Sequence, residues 1–330
     1  MPSPALIDER GRVVDDLRIS VTDRCNFRCV YCMPAEGLKW LPREEVLSFE
    51  EITRLARIFV ESGTRTIRLT GGEPLVRRGL PELVAMLAAL HDDVDISLTT
   101  NGFLLRRDAR ALADAGLRRV NVSLDSLRAD RFERLARRDC LDTVLDGIAA
   151  AREAGLSPVK VNVVVMRNVN DDEVGDFARL ARDTGTHVRF IEFMPLDADG
   201  SWGRDLVVAG DELLEAAEAQ FTLTPRNAGH DPATRWGFAD GGAGELGFIN
   251  SVSAPFCDRC NRVRITADGQ LRTCLFSVTE TDLRGPLRGG ASDEELEQVV
   301  RAAIWAKEPG HRINEADFVR PTRSMSQIGG

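Results

Sequence analysis

Residues 17 to 196 repeat one pattern, in which short β-branched runs alternate with longer amphipathic segments. The predicted strands cover residues 17–22, 66–70, 95–99, 119–124, 159–165 and 188–193. The predicted helices between them cover residues 49–62, 80–90, 109–115, 141–154 and 172–183. Strands that alternate with helices in this way pair in parallel and are joined by right-handed crossovers. The sequence therefore predicts an α/β fold.

The alternation leaves two architectures open, an open doubly wound sheet and a barrel or part-barrel. No GxGxxG sequence follows the first predicted strand, which weakens the case for a dinucleotide-binding sheet. The regular pattern stops after Pro195, and residues 197–250 form a turn-rich linker around one predicted helix at 211–219. Another helix is predicted at 293–306. We expect two domains, the larger at residues 8–234 and the smaller at residues 235–330.

Composition excludes several classes of protein. Hydrophobic residues make up 43% of the 330 residues and charged residues 29%, which is typical of a globular protein. No run of 18 apolar residues and no apolar signal segment is present, so we expect a cytoplasmic protein. The net charge of −9 argues against binding to nucleic acid or to an anionic membrane. It leaves room for a local basic pocket.

Three cysteines, Cys25, Cys29 and Cys32, follow the first predicted strand directly. The carboxyl end of a parallel strand is where α/β barrels place their active sites. Thiolates at this spacing bind zinc or an iron–sulfur cluster. A cubane with three cysteine ligands keeps one iron open for chemistry, whereas a structural zinc needs a fourth ligand, and none lies nearby. A zinc site with a distant ligand, or a disulfide with a spare thiol, remains an alternative.

A second group of three cysteines, Cys257, Cys260 and Cys274, lies near the C-terminus. A zinc ribbon is the alternative here, but a ribbon would show a second CxxC pair. We therefore favour a second iron–sulfur cluster with one open iron. The seventh cysteine, Cys140, opens a predicted helix and is expected to be a buried structural thiol.

The CxxxCxxC spacing, with Tyr31 before the third cysteine, resembles the radical S-adenosylmethionine (SAM) enzymes. The GGEP sequence at 71–74 and the ends of the fourth and sixth predicted strands fall into the same register. The resemblance implies a partial (β/α)6 TIM-like barrel and a [4Fe-4S] cluster on the first three cysteines. It also implies SAM, reductively cleaved to a radical that abstracts a substrate hydrogen. The implied SAM contacts are Tyr31, Gly72, Ser123 and Met194.

Residues 257–276, the segment 17–32 and the terminal MSQIGG resemble the GTP 3′,8-cyclase family, lyases that begin molybdenum cofactor biosynthesis. The resemblance implies a second [4Fe-4S] cluster on Cys257, Cys260 and Cys274, whose open iron binds GTP. It implies an electron donor, a downstream pterin synthase and a homodimer. The implied GTP contacts are Arg18, Arg68, Thr99, Lys160, Arg262, Val263 and Arg264. The implied catalytic residues are Arg262, Arg264, Gly329 and Gly330.

Basic residues on predicted parallel strands are a separate signal for an anionic substrate. Arg18, Arg68 and Lys160 occupy strands that a buried parallel sheet would make apolar. Arg262 and Arg264 are two residues apart and can share one strand face. Arg189 can equally be a surface ion pair. Two alternatives remain, a peptide-modifying radical SAM maturase with an auxiliary cluster, and an iron–sulfur or zinc protein that senses redox state or binds nucleic acid.

Overall fold

A single mixed sheet of twelve strands organises the computed structural model, which describes residues 4–197, 200–226 and 231–329. The strands are β1 Asp16–Ser20, β2 Thr66–Thr70, β3 Asp95–Thr100, β4 Arg119–Ser123, β5 Val159–Val165, β6 His187–Glu192, β7 Leu223–Arg226, β8 Thr234–Phe238, β9 Glu245–Ile249, β10 Arg262–Ile265, β11 Gln270–Arg272 and β12 Thr281–Asp282. They are ordered β12-β11-β10-β1-β2-β3-β4-β5-β6-β9-β8-β7.

Ten α-helices accompany the sheet in the described part of the chain. They are α1 Phe49–Glu61, α2 Leu80–Ala88, α3 Leu105–Asp114, α4 Ala129–Ala136, α5 Leu141–Glu153, α6 Val174–Thr184, α7 Gly210–Glu218, α8 Arg284–Arg288, α9 Asp293–Trp305 and α10 Met325–Ile328. None of these helices has the length and apolar character needed to cross a membrane. All seven predicted helices are confirmed. The largest difference between a predicted and an observed helix end is at the start of α3, which was predicted at residue 109 and lies at Leu105.

Eight neighbouring strands run parallel. Strands β1 to β6 pair in sequence order, and C-terminal strands extend both sides, since β10 pairs with β1 and β9 with β6. The two outermost strands do not pair, so the barrel is incomplete. One side chain from each parallel strand lines a single cavity, which requires the sheet to curve around it: Arg18, Arg68, Thr99, Ser123, Asn162, Arg189, Ile249 and Arg264. The predicted part-barrel is confirmed.

The parallel strands alternate between apolar and polar residues. On β1, Leu17 and Ile19 are fully buried in the hydrophobic core, whereas Arg18 between them points into the cavity. The same alternation places Ile67 and Leu69 in the core on either side of Arg68. Parallel sheets are normally covered by apolar side chains on both faces. Here the concave face is polar, which makes it a binding surface.

Local sequence explains why the helices begin where they do. Ser48 precedes α1 and accepts a hydrogen bond from the Glu51 backbone N–H (3.1 Å), while the Glu51 carboxylate accepts the Ser48 N–H (2.7 Å). This capping box satisfies two backbone donors that the helix itself leaves unpaired. Ile52, Leu55 and Phe59 then share the face that packs against the sheet. Ser48 is therefore the N-cap of α1.

The segment from 197 to 250 is more regular than predicted. Helix α7 is found as expected, but three strands, β7 to β9, accompany it and extend the sheet beyond β6. The prediction of an irregular linker is therefore wrong for these residues. Their antiparallel strands contain Pro225, Gly237 and Gly247, which obscure the alternating pattern. The predicted domain boundary at 234/235 falls at the start of β8 and stays a prediction.

Replacing Phe190 by Ala should destabilise the packing between β6 and β9. Phe190 stacks on Phe248 at a centroid distance of 5.5 Å and meets Phe177 of α6 edge-on at 6.2 Å. Removing the ring leaves a cavity in a fully buried cluster, so the free energy of unfolding should fall by about 3–5 kcal/mol. Urea unfolding followed by circular dichroism measures the loss. Val319→Ala, at a side chain 65% exposed, is the control and should change stability by less than about 0.5 kcal/mol. Equal midpoints for the two variants would contradict the expectation.

Candidate active site

The concave face of the sheet encloses one large cavity. It contains about 1680 Å³ of space not filled by protein atoms, part of it open to solvent. Six of the seven cysteines line it, and they form the two groups found in the sequence: Cys25, Cys29, Cys32, Cys257, Cys260 and Cys274.

The first cysteine group lies on the loop that follows β1. The backbone N–H groups of Cys32 and Met33 both donate to the Cys29 carbonyl, at 2.9 and 3.0 Å, and hold the loop in a tight turn. Burial raises the pKa of Cys25 to about 11 and that of Cys32 to about 12. Thiolate ligands at these positions therefore require a positively charged partner, which a bound metal centre would supply.

Two glycines allow the loop after β2 to pack directly against the segment that leads to Cys25. Gly71 has a φ of +145°, and a Cβ on it would lie 2.3 Å from the Thr22 carbonyl oxygen. A Cβ on Gly72 would lie 2.5 Å from the carbonyl oxygens of Asp23 and Arg24. Neither position tolerates a side chain, because backbone atoms cannot yield the space. Both glycines line the cavity beside the first cysteine group.

A buried carboxylate, Glu73, ties three of the cavity loops together. It accepts hydrogen bonds from the Thr100 hydroxyl at 2.8 Å and from the Asn101 backbone N–H at 2.6 Å. The side chain of Asn101 in turn donates to the side-chain oxygen of Asn26 (2.8 Å), next to Cys25. Burial raises the pKa of Glu73 to about 7. This network fixes the first cysteine loop relative to β2 and β3.

Tyr31 and Asp125 form a hydrogen-bonded pair on the cavity wall. The Tyr31 hydroxyl donates to Oδ2 of Asp125 at 2.6 Å, and the Val164 N–H donates to Oδ1 at 2.8 Å. Burial raises the pKa of Asp125 to about 6, although both hydrogen bonds favour the ionised form. Since Tyr31 lies in the first cysteine loop, this bond links that loop to the ends of β4 and β5.

The second cysteine group approaches the cavity from the C-terminal side of the sheet. Cys257 begins a short 3-10 turn, Cys260 lies just before β10, and Cys274 follows β11. Burial alone would raise the pKa of Cys260, but the positive charges of Arg262 and Lys307 outweigh it and lower the pKa to about 7. Within the described residues, no three Cys, His, Asp or Glu side chains converge as ligands of a single metal ion.

A cluster of arginines lies on the strands between the two cysteine groups. Arg264, Arg18 and Arg68 are direct neighbours across β10, β1 and β2, where strands are about 4.8 Å apart. Burial and the charge of Arg68 lower the pKa of Arg18 to about 9, and burial lowers that of Arg68 to about 10. Arg262 lines the same cavity, so the cluster has four arginines. The carboxylate of Asp16 interacts electrostatically with all four of them. The cluster holds excess positive charge that favours an anion.

Two further bases lie on the concave face of β5 and β6. Arg189 lines the cavity and forms an ion pair with Asp231, so it is a buried cavity residue and not a surface one. Lys160 is buried on the same side of β5 as Asn162, one step further from the carboxyl end, and does not reach the cavity wall. Burial and the nearby charge of Arg189 lower the pKa of Lys160 to about 7.

The C-terminal segment reaches the cavity beside β1 and β2. Arg323 anchors it through ion pairs of 2.8 Å to both Asp268 and Glu280. Helix α10 follows, and its Met325 and Ser326 line the cavity. A Cβ on Gly329 would lie 3.0 Å from side-chain carbons of Ser20 and Thr70. The close fit at Gly329 therefore favours glycine. Gly330 lies outside the described residues.

Sequence comparison assigns both halves of the chain. The Radical SAM superfamily model matches residues 19–181, and the model described as Molybdenum Cofactor Synthesis C matches residues 186–313. The GTP 3′,8-cyclase of Mycolicibacterium smegmatis is 53% identical, with 100% of this chain and 94% of that protein covered. The chain belongs to the GTP 3′,8-cyclase family. A further member, the GTP 3′,8-cyclase of Streptomyces coelicolor, is 52% identical over 98% of this chain and 96% of that protein.

Solved structures agree on the fold of this GTP 3′,8-cyclase family member. Streptococcus suis SuiB superimposes with a TM-score of 0.63 at 14% identity, covering 94% of this chain and 76% of that one. The structure of anSMEcpe with bound AdoMet has a TM-score of 0.57, again at 14% identity, covering 90% and 82%. At such low identity the likeness supports the radical SAM part-barrel and nothing finer.

Most of the predicted site residues come together in this cavity, although their ligand contacts stay predictions. Beside the six cysteines, the cavity is lined by Arg18, Tyr31, Arg68, Gly72, Thr99, Ser123, Met194, Arg262 and Arg264. Val263 is different, because it is fully buried in the core on the opposite face of β10. Since neighbouring residues of a strand face opposite ways, its side chain cannot share the site of Arg262 and Arg264. The GTP contact of Val263 therefore stays a prediction and falls to its backbone, since its side chain belongs to the core.

Cys140 also lies apart from the site. It is the buried N-cap residue of α5, as predicted, and does not line the cavity. All seven cysteines fall within the described residues and none forms a disulfide, so the alternative of a disulfide with a spare thiol is not supported.

Three cavity residues were underrated from sequence. Asn101 was not among the predicted ligand contacts, although its position after β3 matches that of the other site residues after their strands. Asp125 follows β4 in the same way. Arg189 was left as a surface ion pair, but the alternation along β6 already places it on the concave face, in register with Asn162. In each case, the position of the residue on or after its strand could have identified it as a cavity residue.

Replacing Tyr31 by Phe should raise the pKa of Asp125 above about 6. The tyrosine hydroxyl donates to the ionised carboxylate, so its loss favours the protonated form. Infrared titration of protein labelled with ¹³C-aspartate measures the shift, and the spectrum of Asp125→Asn identifies the band. The free energy of unfolding should fall by about 1 kcal/mol, the usual value of one hydrogen bond. An unchanged titration would mean that the hydroxyl does not stabilise the charge.

Proposed function

We propose that this chain is a GTP 3′,8-cyclase that converts GTP to (8S)-3′,8-cyclo-7,8-dihydroguanosine 5′-triphosphate, with SAM and two [4Fe-4S] clusters as cofactors. The observation that carries the proposal is the single cavity that holds two cysteine groups with an arginine cluster between them. Membership of the GTP 3′,8-cyclase family supports the same reaction. The reaction is the first step of molybdenum cofactor biosynthesis.

The nucleotide has the same elemental composition before and after the reaction. A hydrogen leaves ribose C3′, a bond forms between C3′ and C8, and N7 gains a proton, so the product is an isomer of GTP. SAM yields methionine and 5′-deoxyadenosine, which carries the hydrogen from C3′. One electron is used to cleave SAM and a second, with the proton, completes the base. An external electron donor must therefore supply the enzyme.

The first cysteine group suits the cluster that would bind SAM. Cys25, Cys29 and Cys32 open into the cavity as three donors on one short loop, which fits a cubane that keeps one iron free. When bound, this cluster and SAM supply the one-electron cleavage that abstracts the substrate hydrogen. Tyr31 and the Gly71–Gly72 backbone lie beside these cysteines and would orient SAM. Ser123 and Met194 line the same region.

The second cysteine group would hold the cluster that binds the guanine base. Cys257, Cys260 and Cys274 lie far from the first group in the sequence, but they line the same cavity. Arg262 stands beside them, with its guanidinium 4.8 Å from the centre of the Phe256 ring. The charge of Arg262 favours the thiolate form of Cys260, which a metal centre requires.

The arginine cluster would bind the triphosphate. Arg264 is buried and Arg18 and Arg68 are half-buried, yet arginine stays protonated in proteins, so the cluster carries a charge that Asp16 alone does not balance. A triphosphate supplies the missing negative charge and accepts charge-assisted, often bidentate hydrogen bonds from guanidinium groups. Nε of Arg18 and Nε of Arg264 are buried without a hydrogen-bond partner, which fits groups that await a ligand.

The tail closes the cavity on the side of the first cysteine group. Met325 and Ser326 form part of the lining, and Gly329 fits between Ser20 and Thr70, where a side chain would be crowded. Exclusion of water from the cavity protects reactive species and strengthens the charge interactions inside it. Gly329, together with Gly330, is proposed to act at this end of the site.

Further partners follow from this function and stay proposals. A cytoplasmic location supplies reductant and keeps the cysteines reduced. The product would pass to a pterin synthase. A homodimer is retained as the expected assembly.

The runner-up function is a peptide-modifying maturase. SuiB, which shares the fold, has been solved bound to its precursor peptide SuiA. A peptide gives no reason to gather four arginines around one carboxylate in the cavity, whereas a triphosphate does. The arginine cluster therefore favours the nucleotide.

Anaerobic incubation with SAM, a reductant and GTP should yield 5′-deoxyadenosine and a nucleotide isomeric with GTP in nearly equal amounts. Mass spectrometry and NMR of the nucleotide identify the bond between C3′ and C8. The control replaces GTP by ATP, which lacks the guanine base proposed to bind the second cluster. Turnover with peptides and none with GTP would overturn the proposed function in favour of a maturase.

Replacing Arg264 by Met should weaken GTP binding about 10- to 100-fold, because one charge-assisted hydrogen-bond partner is worth roughly 1.5–3 kcal/mol. SAM binding should be unchanged, since Arg264 lies on β10, next to the second cysteine group. Equilibrium dialysis with each ligand separates the two effects. Arg57→Met, at an exposed arginine on the outside of α1, is the matched control. An equal loss of both ligands would mean that Arg264 is structural.

A further inference from the structure

A buried lysine lies directly behind the second cysteine group. Lys307 is only 2% exposed, although its ammonium carries a charge that burial makes costly. It is one of three lysines in the chain, with Lys39 and Lys160, among 43 basic residues. It lies outside the cavity wall, so it does not belong to the GTP or SAM contacts. Its position needs another explanation.

The ammonium of Lys307 joins the two segments that supply the cysteines. Nζ donates a hydrogen bond of 2.9 Å to the carbonyl oxygen of Arg262, two residues after Cys260. It also donates to the carbonyl oxygen of Thr273, the residue before Cys274. One charged group therefore ties the β10 segment to the end of β11.

The charge of Lys307 faces the cysteines themselves. Its two carbonyl acceptors belong to Thr273, the residue before Cys274, and to Arg262, two residues after Cys260. The ammonium thus lies where it would offset the negative charge of thiolate ligands.

The residues after Lys307 hold the same region together. The Glu308 carboxylate accepts hydrogen bonds from the hydroxyls of Thr273 (2.6 Å) and Ser277. Gly310 packs against Cys257, where an added Cβ would lie 2.9 Å from the cysteine Cβ and 3.1 Å from its sulfur. Residues 307–310, the KEPG segment, therefore contact the surroundings of all three cysteines.

An arginine from the N-terminus fixes this segment from behind. Arg12 donates to the carbonyl oxygens of Cys257 at 2.9 Å, Pro309 at 3.0 Å and Glu308 at 2.6 Å. Asp8 pairs with Arg12 and is buried with it, so the guanidinium is held in one orientation. The cysteine loop and the KEPG segment are thereby joined through a single side chain.

We propose that Lys307 is a positioning residue for the second cluster, which it serves by linking the two cysteine segments and by offsetting the charge of their thiolates. Arg12 supports it by fixing the KEPG segment. The inference rests on the proposed second [4Fe-4S] cluster. Because nearby positive charge raises the reduction potential of an iron–sulfur cluster, Lys307 also raises the potential of this one.

The test is Lys307→Met in the full-length protein reconstituted anaerobically. The parent should hold about eight irons, four per cluster. The variant should either fall toward about four irons or keep them with the second cluster shifted to a lower reduction potential. EPR-monitored redox titration reads both clusters, since SAM perturbs the signal of the first and GTP that of the second. The first cluster and SAM affinity should be unchanged.

Lys39→Met is the matched control, because Lys39 is exposed and lies far from the second cysteine group in the sequence. An unaltered second cluster in Lys307→Met would overturn the inference. Loss of both clusters in parallel would also overturn it, since that result assigns Lys307 to the folding of the whole chain. A parent protein with about four irons, or with zinc on the second group, would instead refute the proposed second cluster and leave the enzyme's first cluster intact.

Discussion

The concave face of a curved parallel sheet is the constraint on which the rest of this molecule depends. Helices cover the outer face with apolar contacts, whereas the parallel strands send mostly polar side chains into the space on the inner face. Arg18, Arg68 and Arg264 lie there as immediate neighbours across three strands. Like charges this close repel one another, and burial increases the cost. An apolar interior would be more stable, so the arrangement indicates that binding, and not stability, determined these residues.

The two cysteine groups and the arginines complement one another electrically. Buried thiols resist ionisation, as the raised pKa values of Cys25 and Cys32 show, whereas buried arginines retain their charge. Bound clusters would favour ionisation of the thiols, and a bound polyphosphate would neutralise the charge of the arginines. The polar network around Glu73 and Asn101 has a different role, because the Glu73 carboxylate and the Asn101 side chain are bonded to neighbouring protein groups. It keeps the cavity wall in place before any ligand arrives.

Much of the fold could be predicted because its parallel strands and helices carry regular periodicity. The cysteine groups were equally plain, since spacing alone marks them as ligands. Strands β7 to β9 were missed because short antiparallel strands with Pro225 and two glycines show no such period. Val263 lies between Arg262 and Arg264 in the sequence, yet the alternation along β10 turns its side chain into the core. Lys307 was not predicted as a site residue, because the residues that it contacts lie more than thirty positions away in the chain.

The position of β1 has a consequence for how the chain folds. Strand β1 pairs on one side with β2, made soon after it, and on the other with β10, which contains Arg262 and follows about 245 residues later. Until β10 is synthesised, that edge of β1 presents unpaired backbone groups, the feature that promotes misassociation of nascent sheets. Pairing over such a separation is also slow. Assembly of the sheet therefore finishes only with the segment that carries the second cysteine group, so the complete cavity forms last.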